Sequence, residues 1–209
     1  MSTSWQVSGV YAGERWTVVQ SPSVAPDGWL SDEVSRLEEL WTGTDKDEAA
    51  REVTEILNDT AELLADPSMV LALVHWPMSV PVPCRVRVAV ADADALGLEE
   101  WRGLGYEVDE YPGSSLGPGI HCHATRDEVV HGWPVHVSTS IFAFTNAIGS
   151  VMLIVESGVR DAYLATLLEI PRLLSGLAVS REDGEAFVAN PVAGVSRNQA
   201  DEWGSVSNA

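Results

Sequence analysis

From Val135 to Glu156 the chain carries two strand-like runs, Val135 to Phe144 and Val151 to Glu156, separated by Asn146-Ala147-Ile148-Gly149. Successive side chains of a strand point to opposite faces, so Val135, Val137, Thr139, Ile141 and Ala143 share one face of an extended strand. The Asn/Gly-containing break turns the chain back into Val151 to Glu156, which is the signature of a hairpin. A long antiparallel pair needs further strands and a covering layer before it is stable in water. The rest of the sequence must therefore supply both.

Strand material occurs at Ser4 to Gln20, at Met69 to Trp76, at Cys84 to Val90, at Tyr106 to Tyr111 and at Ile120 to Thr125. Met69 to Trp76 is continuously apolar, as expected of a strand covered on both faces. The Pro77 to Pro83 connection, with three prolines, suits an antiparallel return into Cys84. Helical stripes occur at Trp29 to Trp41 (Leu30, Val34, Leu37, Trp41) and at Asp45 to Ala65, where Asp45 and Glu48 have the spacing of a capping box and Pro67 ends the pattern. In the second helix Val53, Ile56, Leu57, Leu63 and Leu64 fall on one side, and Glu52, Glu55, Asp59 and Glu62 elsewhere. A short helix is expected within Asp92 to Gly103 and a last one over Gly158 to Leu177, kinked or restarted at Pro171. Pro112 to Gly119 reads as a mobile surface loop. The predicted fold class is α+β, a mostly antiparallel sheet with amphipathic helices packed on it. One domain is expected over 1–188 and a flexible tail over 189–209.

Charge narrows the partners. The chain of 209 residues holds 31 Asp and Glu against 12 Lys and Arg, for a net charge of -19, about half of it between Asp27 and Asp66. Nucleic-acid binding depends on clustered Lys and Arg, and Lys46 is the single lysine. An anionic membrane surface is disfavoured for the same reason. The longest apolar runs, Met69 to Val74 and Val151 to Val155, are far short of the roughly 20 residues that cross a bilayer. The residues from Met1 to Gly9 lack the pattern of a secretory signal, so a cytoplasmic location is the expectation. A basic protein partner fits the charge, as does mimicry of nucleic acid.

The sequence carries no CxxC, HExxH or GxSxG arrangement, and Gly113 to Gly119 lacks the Lys-Ser/Thr of a phosphate loop. His121 and His123 fall on one strand face, a spacing that suits two imidazoles on one metal ion with His136 as third ligand; they fit equally a half-exposed strand face. Arg85 and Arg87 share a face of another strand. Beside the histidine strand they would form an anion-binding patch; otherwise they meet the acidic helix above the sheet. Cys84 and Cys122 read as buried free thiols, able to pair only if their strands are neighbours. Of the eight tryptophans, Trp76, Trp101 and Trp133 are expected in or beside the core, and Trp5, Trp29 and Trp203 as interface anchors.

The order of elements, and in particular Val135-His136-Val137, the hairpin Ile141 to Val155 and the helix Asp161 to Leu174, resembles the PsbP-like α/β sandwich, specifically small actinobacterial proteins of that shape. Arg-rich, Lys-poor usage fits a high-GC bacterium. The resemblance covers roughly Val130 to Ser175. It implies a binding or assembly role, with no catalytic residue and no cofactor to carry over. The leading expectation is a non-catalytic binding protein, an adaptor, chaperone or immunity-type factor, that offers Glu52, Glu55, Asp59 and Glu62 to a basic partner. The alternatives are a small metal-binding protein or hydrolase using His121 and His123, and a nucleic-acid mimic.

Overall fold

The computed structural model describes residues 5–9, 13–41, 45–92, 96–130 and 132–192. Its frame is a seven-stranded sheet made of β2 (Trp16–Val18), β3 (Met69–His75), β4 (Cys84–Ala91), β5 (Glu107–Tyr111), β6 (Gly119–Val130), β7 (Trp133–Asn146) and β8 (Gly149–Ser157). The strands lie in the order β2-β3-β4-β8-β7-β6-β5, and every neighbouring pair is antiparallel. The β7–β8 hairpin forms where the alternation places it, with Asn146 opposite Gly149. Gly149 has φ 148, and a Cβ there would collide with the Ala91 carbonyl of the strand beyond, so the turn requires glycine. β1 (Trp5–Ser8) and β9 (Ala178–Arg181) form a separate two-stranded sheet.

Both faces of the large sheet carry helices. Helix α4 (Arg160–Gly176) covers one face, burying Tyr163, Ile170, Leu173 and Leu174 against Leu73, Val86, Val88, Phe142, Leu153 and Val155. The other face is covered in two places. Helices α1 (Trp29–Glu38) and α2 (Lys46–Glu62) pack Val34, Leu37, Val53 and Leu57 over Ala72, Val74 and Trp76. Helix α3 (Leu98–Gly103) seats Trp101 over Ile120, Cys122, Ile141 and Ala143. Burying a Leu or Val side chain contributes roughly 1.5–3 kcal/mol, so Val53 and Leu57, both fully buried, hold α2 down. The α+β architecture with amphipathic helices on an antiparallel sheet is thus as expected.

Several details differ from the sequence reading. The Asp45 side chain accepts from the amides of Asp47 and Glu48, but α2 ends at Glu62 and Leu63–Ala65 form a 3-10 turn, leaving Leu63 and Leu64 half-buried. Helix α4 runs through Pro171, which stands on its exposed side, where water can satisfy the carbonyl deprived of a donor. The loop Pro112 to Gly119 is pinned rather than mobile. Its Leu116 is buried, the Ser115 hydroxyl donates to the Leu174 carbonyl at 2.7 Å and to that of Leu177, and the Ala189 amide donates to the Leu116 carbonyl at 2.7 Å.

Trp133, expected in or beside the core, is 74% exposed near the tip of the β6–β7 hairpin. Trp5 serves inside the molecule. Its indole nitrogen donates to Asp92 at 3.1 Å, and its ring meets Phe187 edge-on and lies under the Arg181 guanidinium. The chain stays bonded into the fold through Asn190, whose amide donates to the Thr145 carbonyl at 2.8 Å, past the expected boundary at 188. The remainder of the expected tail, 193–209 with Trp203, lies outside the described residues, as does His131.

Candidate functional site

Helix α2 has two unlike sides. Its apolar side is consumed by the sheet and α1, and what projects outward is a ridge of Glu48, Glu52, Glu55, Asp59 and Glu62, all exposed. Glu48/Glu52 and Glu55/Asp59 are four residues apart, and Glu52/Glu55 and Asp59/Glu62 three apart. On a helix surface such neighbours repel, each pair costing on the order of 0.2–0.5 kcal/mol. Asp59 alone of the four predicted recognition carboxylates has an internal cation, Arg85 Nη2 at 3.6 Å, in an ion pair open to solvent. Pairs of that kind contribute little. Glu52, Glu55 and Glu62 have no ion pair among the described residues.

Arg85 and Arg87 stand on the same sheet face as α2. Arg87 pairs with Glu156 of the neighbouring strand β8, and burial, then the nearby Arg85 charge, pulls its pKa down. The patch in which these arginines join the histidines does not exist. β8 and β7 separate β4 from β6, which places the strands about 14 Å apart at the usual interstrand spacing. His121 and His123 also project on the α4 face, opposite the arginines, because His121 aligns with Phe142, Leu153 and Val88 across the sheet.

The histidines themselves divide. His121 is stacked on Phe142 with ring centroids 4.4 Å apart, and its Nε2 is hydrogen-bonded to Ser140 Oγ at 2.8 Å, which in turn meets the Tyr163 hydroxyl at 2.6 Å. Burial, then the neighbouring His123, pushes its pKa down to about 4, so the ring is neutral at pH 7. His123 lies 5.4 Å from His121 between centroids, and its Nε2 is 3.6 Å from Glu107 and 3.8 Å from Asp109. His136 does not join them. It pairs with Asp127, opposite it on β6, and six positions along that strand from His121 amount to roughly 20 Å. Among the described residues no three His, Cys, Asp or Glu side chains are grouped to hold a metal ion. Ser140 is fully buried, so its hydroxyl is a link between His121 and Tyr163 with no surface for a substrate to reach.

Cys84 and Cys122 are buried free thiols on opposite faces of the sheet, and burial pushes both pKa values up to about 12. At that pKa neither is a thiolate nucleophile near neutral pH.

One concavity was not legible in the sequence. A cleft of about 790 Å³ opens between α1, α2 and the loop before α1. Pro22, Ala25, Pro26, Trp29, Leu30 and Val34 give it an apolar wall, Gln20, Ser31, Ser35, Thr54 and Asn58 add polar lining, and Asp27 and Glu38 stand there with no Lys, Arg or His among the described residues. Trp29, flagged from sequence as an anchor, is half-buried there. Helix α1 is fixed by Glu33, which accepts from Thr17 and Arg36 at 2.5 Å, while Thr17 accepts from the Trp76 indole at 3.0 Å. Burial opposes the charge on Glu33, yet the bonds from Arg36 and Thr17 outweigh it and hold the carboxyl below its usual range.

No match is found on comparing the chain with protein-family models, with curated proteins or with solved structures. These comparisons neither support nor oppose the PsbP-like resemblance. No helix among the described residues is long and apolar enough to cross a membrane.

Proposed function

We propose that this chain is a non-catalytic binding protein, acting in the cytoplasm, whose α2 ridge receives a basic surface of a protein partner. The observation that carries the reading is the exposed line of Glu52, Glu55 and Glu62, each without an ion pair among the described residues, on a helix whose opposite side packs into the core. A row of mutually repelling carboxylates costs folding stability, and a partner's Lys and Arg side chains would relieve it. The PsbP-like resemblance, whose members are mostly binding or assembly factors, supports the same reading as analogy. The histidines support a metal-binding or hydrolytic role less well, since His136 lies far from His121 and His123 and Ser140 is sealed.

The test is capture of partners by the tagged full chain from its native host, identified by mass spectrometry and repeated with the combined variant Glu52→Gln, Glu55→Gln, Glu62→Gln. The expected result is a protein retained at low salt, released as ionic strength rises past about 0.15 M, where screening shortens the reach of exposed charges to about 8 Å, and lost from the variant. Retention by the variant at undiminished strength would overturn the reading.

A further inference from the structure

Beside the ridge, the α1–α2 cleft has the size of a ligand site, about 790 Å³ against the 300–1,000 Å³ usual for such sites. A second, shallower depression of about 510 Å³ runs on from it along α2. The two share Thr54 and Asn58, and the second reaches Glu55 and Asp59 on the ridge. The cleft, polar as well as apolar in its lining, and the carboxylate ridge therefore adjoin along α2 and form one groove. Asp27 and Glu38 flank the wider end, and Arg51, in the shallow part, is the one basic residue among the described residues that line either depression.

We infer that the α1–α2 cleft is the anchor pocket of this groove, taking one apolar side chain of a basic linear segment of a protein partner. The inference rests on the proposed function and says which part of the partner is read. Charge complementarity selects the occupant: the groove offers Asp27, Glu38, Glu55 and Asp59 in a chain of net charge -19, so positive residues on either side of the anchor are favoured and acidic segments are repelled. The half-buried Trp29 gives the anchor an aromatic wall, a type of contact that dominates the energetics of recognition surfaces. Ridge and cleft then divide the work. The carboxylates set encounter rate and salt dependence, and the cleft discriminates among basic segments by the side chain it accepts.

Two synthetic peptides of equal length and equal positive charge, differing only in a central Leu or Ser, test this by isothermal titration against the full chain at low salt. The Leu peptide is expected to bind about tenfold more tightly, as burial of one aliphatic side chain implies. Asn58→Trp, which fills the cleft from an exposed position, and Trp29→Ala should each abolish that preference while thermal unfolding confirms the fold. The ridge variant Glu52→Gln, Glu55→Gln, Glu62→Gln should weaken both peptides and keep their ratio. Equal binding of the two peptides, or a Leu preference that survives Asn58→Trp, overturns the anchor pocket and leaves the acidic-ridge reading standing. Failure of both peptides to bind overturns both.

Discussion

His75, buried, and His121, half-buried, make the stability of this protein depend on pH. His75 is hydrogen-bonded through Nδ1 to the Thr166 hydroxyl at 2.9 Å and stacked on Trp16 at 4.3 Å. Burial, then the Arg15 charge, lowers its pKa to about 4, as burial and His123 do for His121. In the unfolded chain both titrate near 6.5. Between those values the unfolded state binds more protons than the folded one, so stability is complete above about pH 6.5 and falls as the pH drops toward 4. Urea denaturation midpoints should therefore decline from pH 7 to pH 5, and His121→Phe should flatten part of that decline. A midpoint unchanged over this range would show that the rings are not neutral in the fold.

Among the secondary-structure elements, β4 and β8 carry the least expected burden. Arg87 is mostly buried on the sheet between the areas covered by α2 and α3, and Glu156 on the adjoining strand is its carboxylate. Removing that partner leaves a guanidinium short of both water and counter-charge. Glu156→Gln is expected to cost about 2 kcal/mol, within the range for hydrogen bonds to charged groups, read as a lower urea midpoint with an unchanged m-value. A loss below about 0.5 kcal/mol would mean the Arg87 guanidinium finds water instead. The sequence set out the alternation of Arg85 and Arg87, and even their alternative partner, the acidic helix that supplies Asp59. It could not reveal Glu156, because a cross-strand contact depends on which strand becomes the neighbour. Trp133 shows the same limit: an aromatic residue expected in or beside the core stands exposed where its strand nears the hairpin tip.

For the whole molecule, closure depends on the two ends of the described chain. β1 pairs with β9, Phe187 and Ala189 enter the main core, and the Ala189 amide ties the segment to the Leu116 carbonyl. Truncation before Ala178 removes Val179, Phe187 and Ala189 from that core together and leaves β1 unpaired. Losing one large buried aromatic alone costs about 3–5 kcal/mol, comparable with the total stability of many domains. The truncated chain should lose its cooperative thermal transition; a sharp transition near that of the full chain would show the closing segment to be peripheral.

The amphipathic stripe of α2 with its Asp45 cap, the β7–β8 hairpin and its Gly149, and the outward placement of Glu52, Glu55 and Glu62 were all present in the order of residues. They follow from local rules, the direction of each Cβ along a helix or strand and the φ that a turn demands. Assembly alone settled that β8 and β7 lie between Arg87 and His121, that the two thiols face opposite sides, and that α1 and α2 leave a cleft beside Trp29. Those features depend on pairing between distant segments, for which no short stretch of sequence carries a signal.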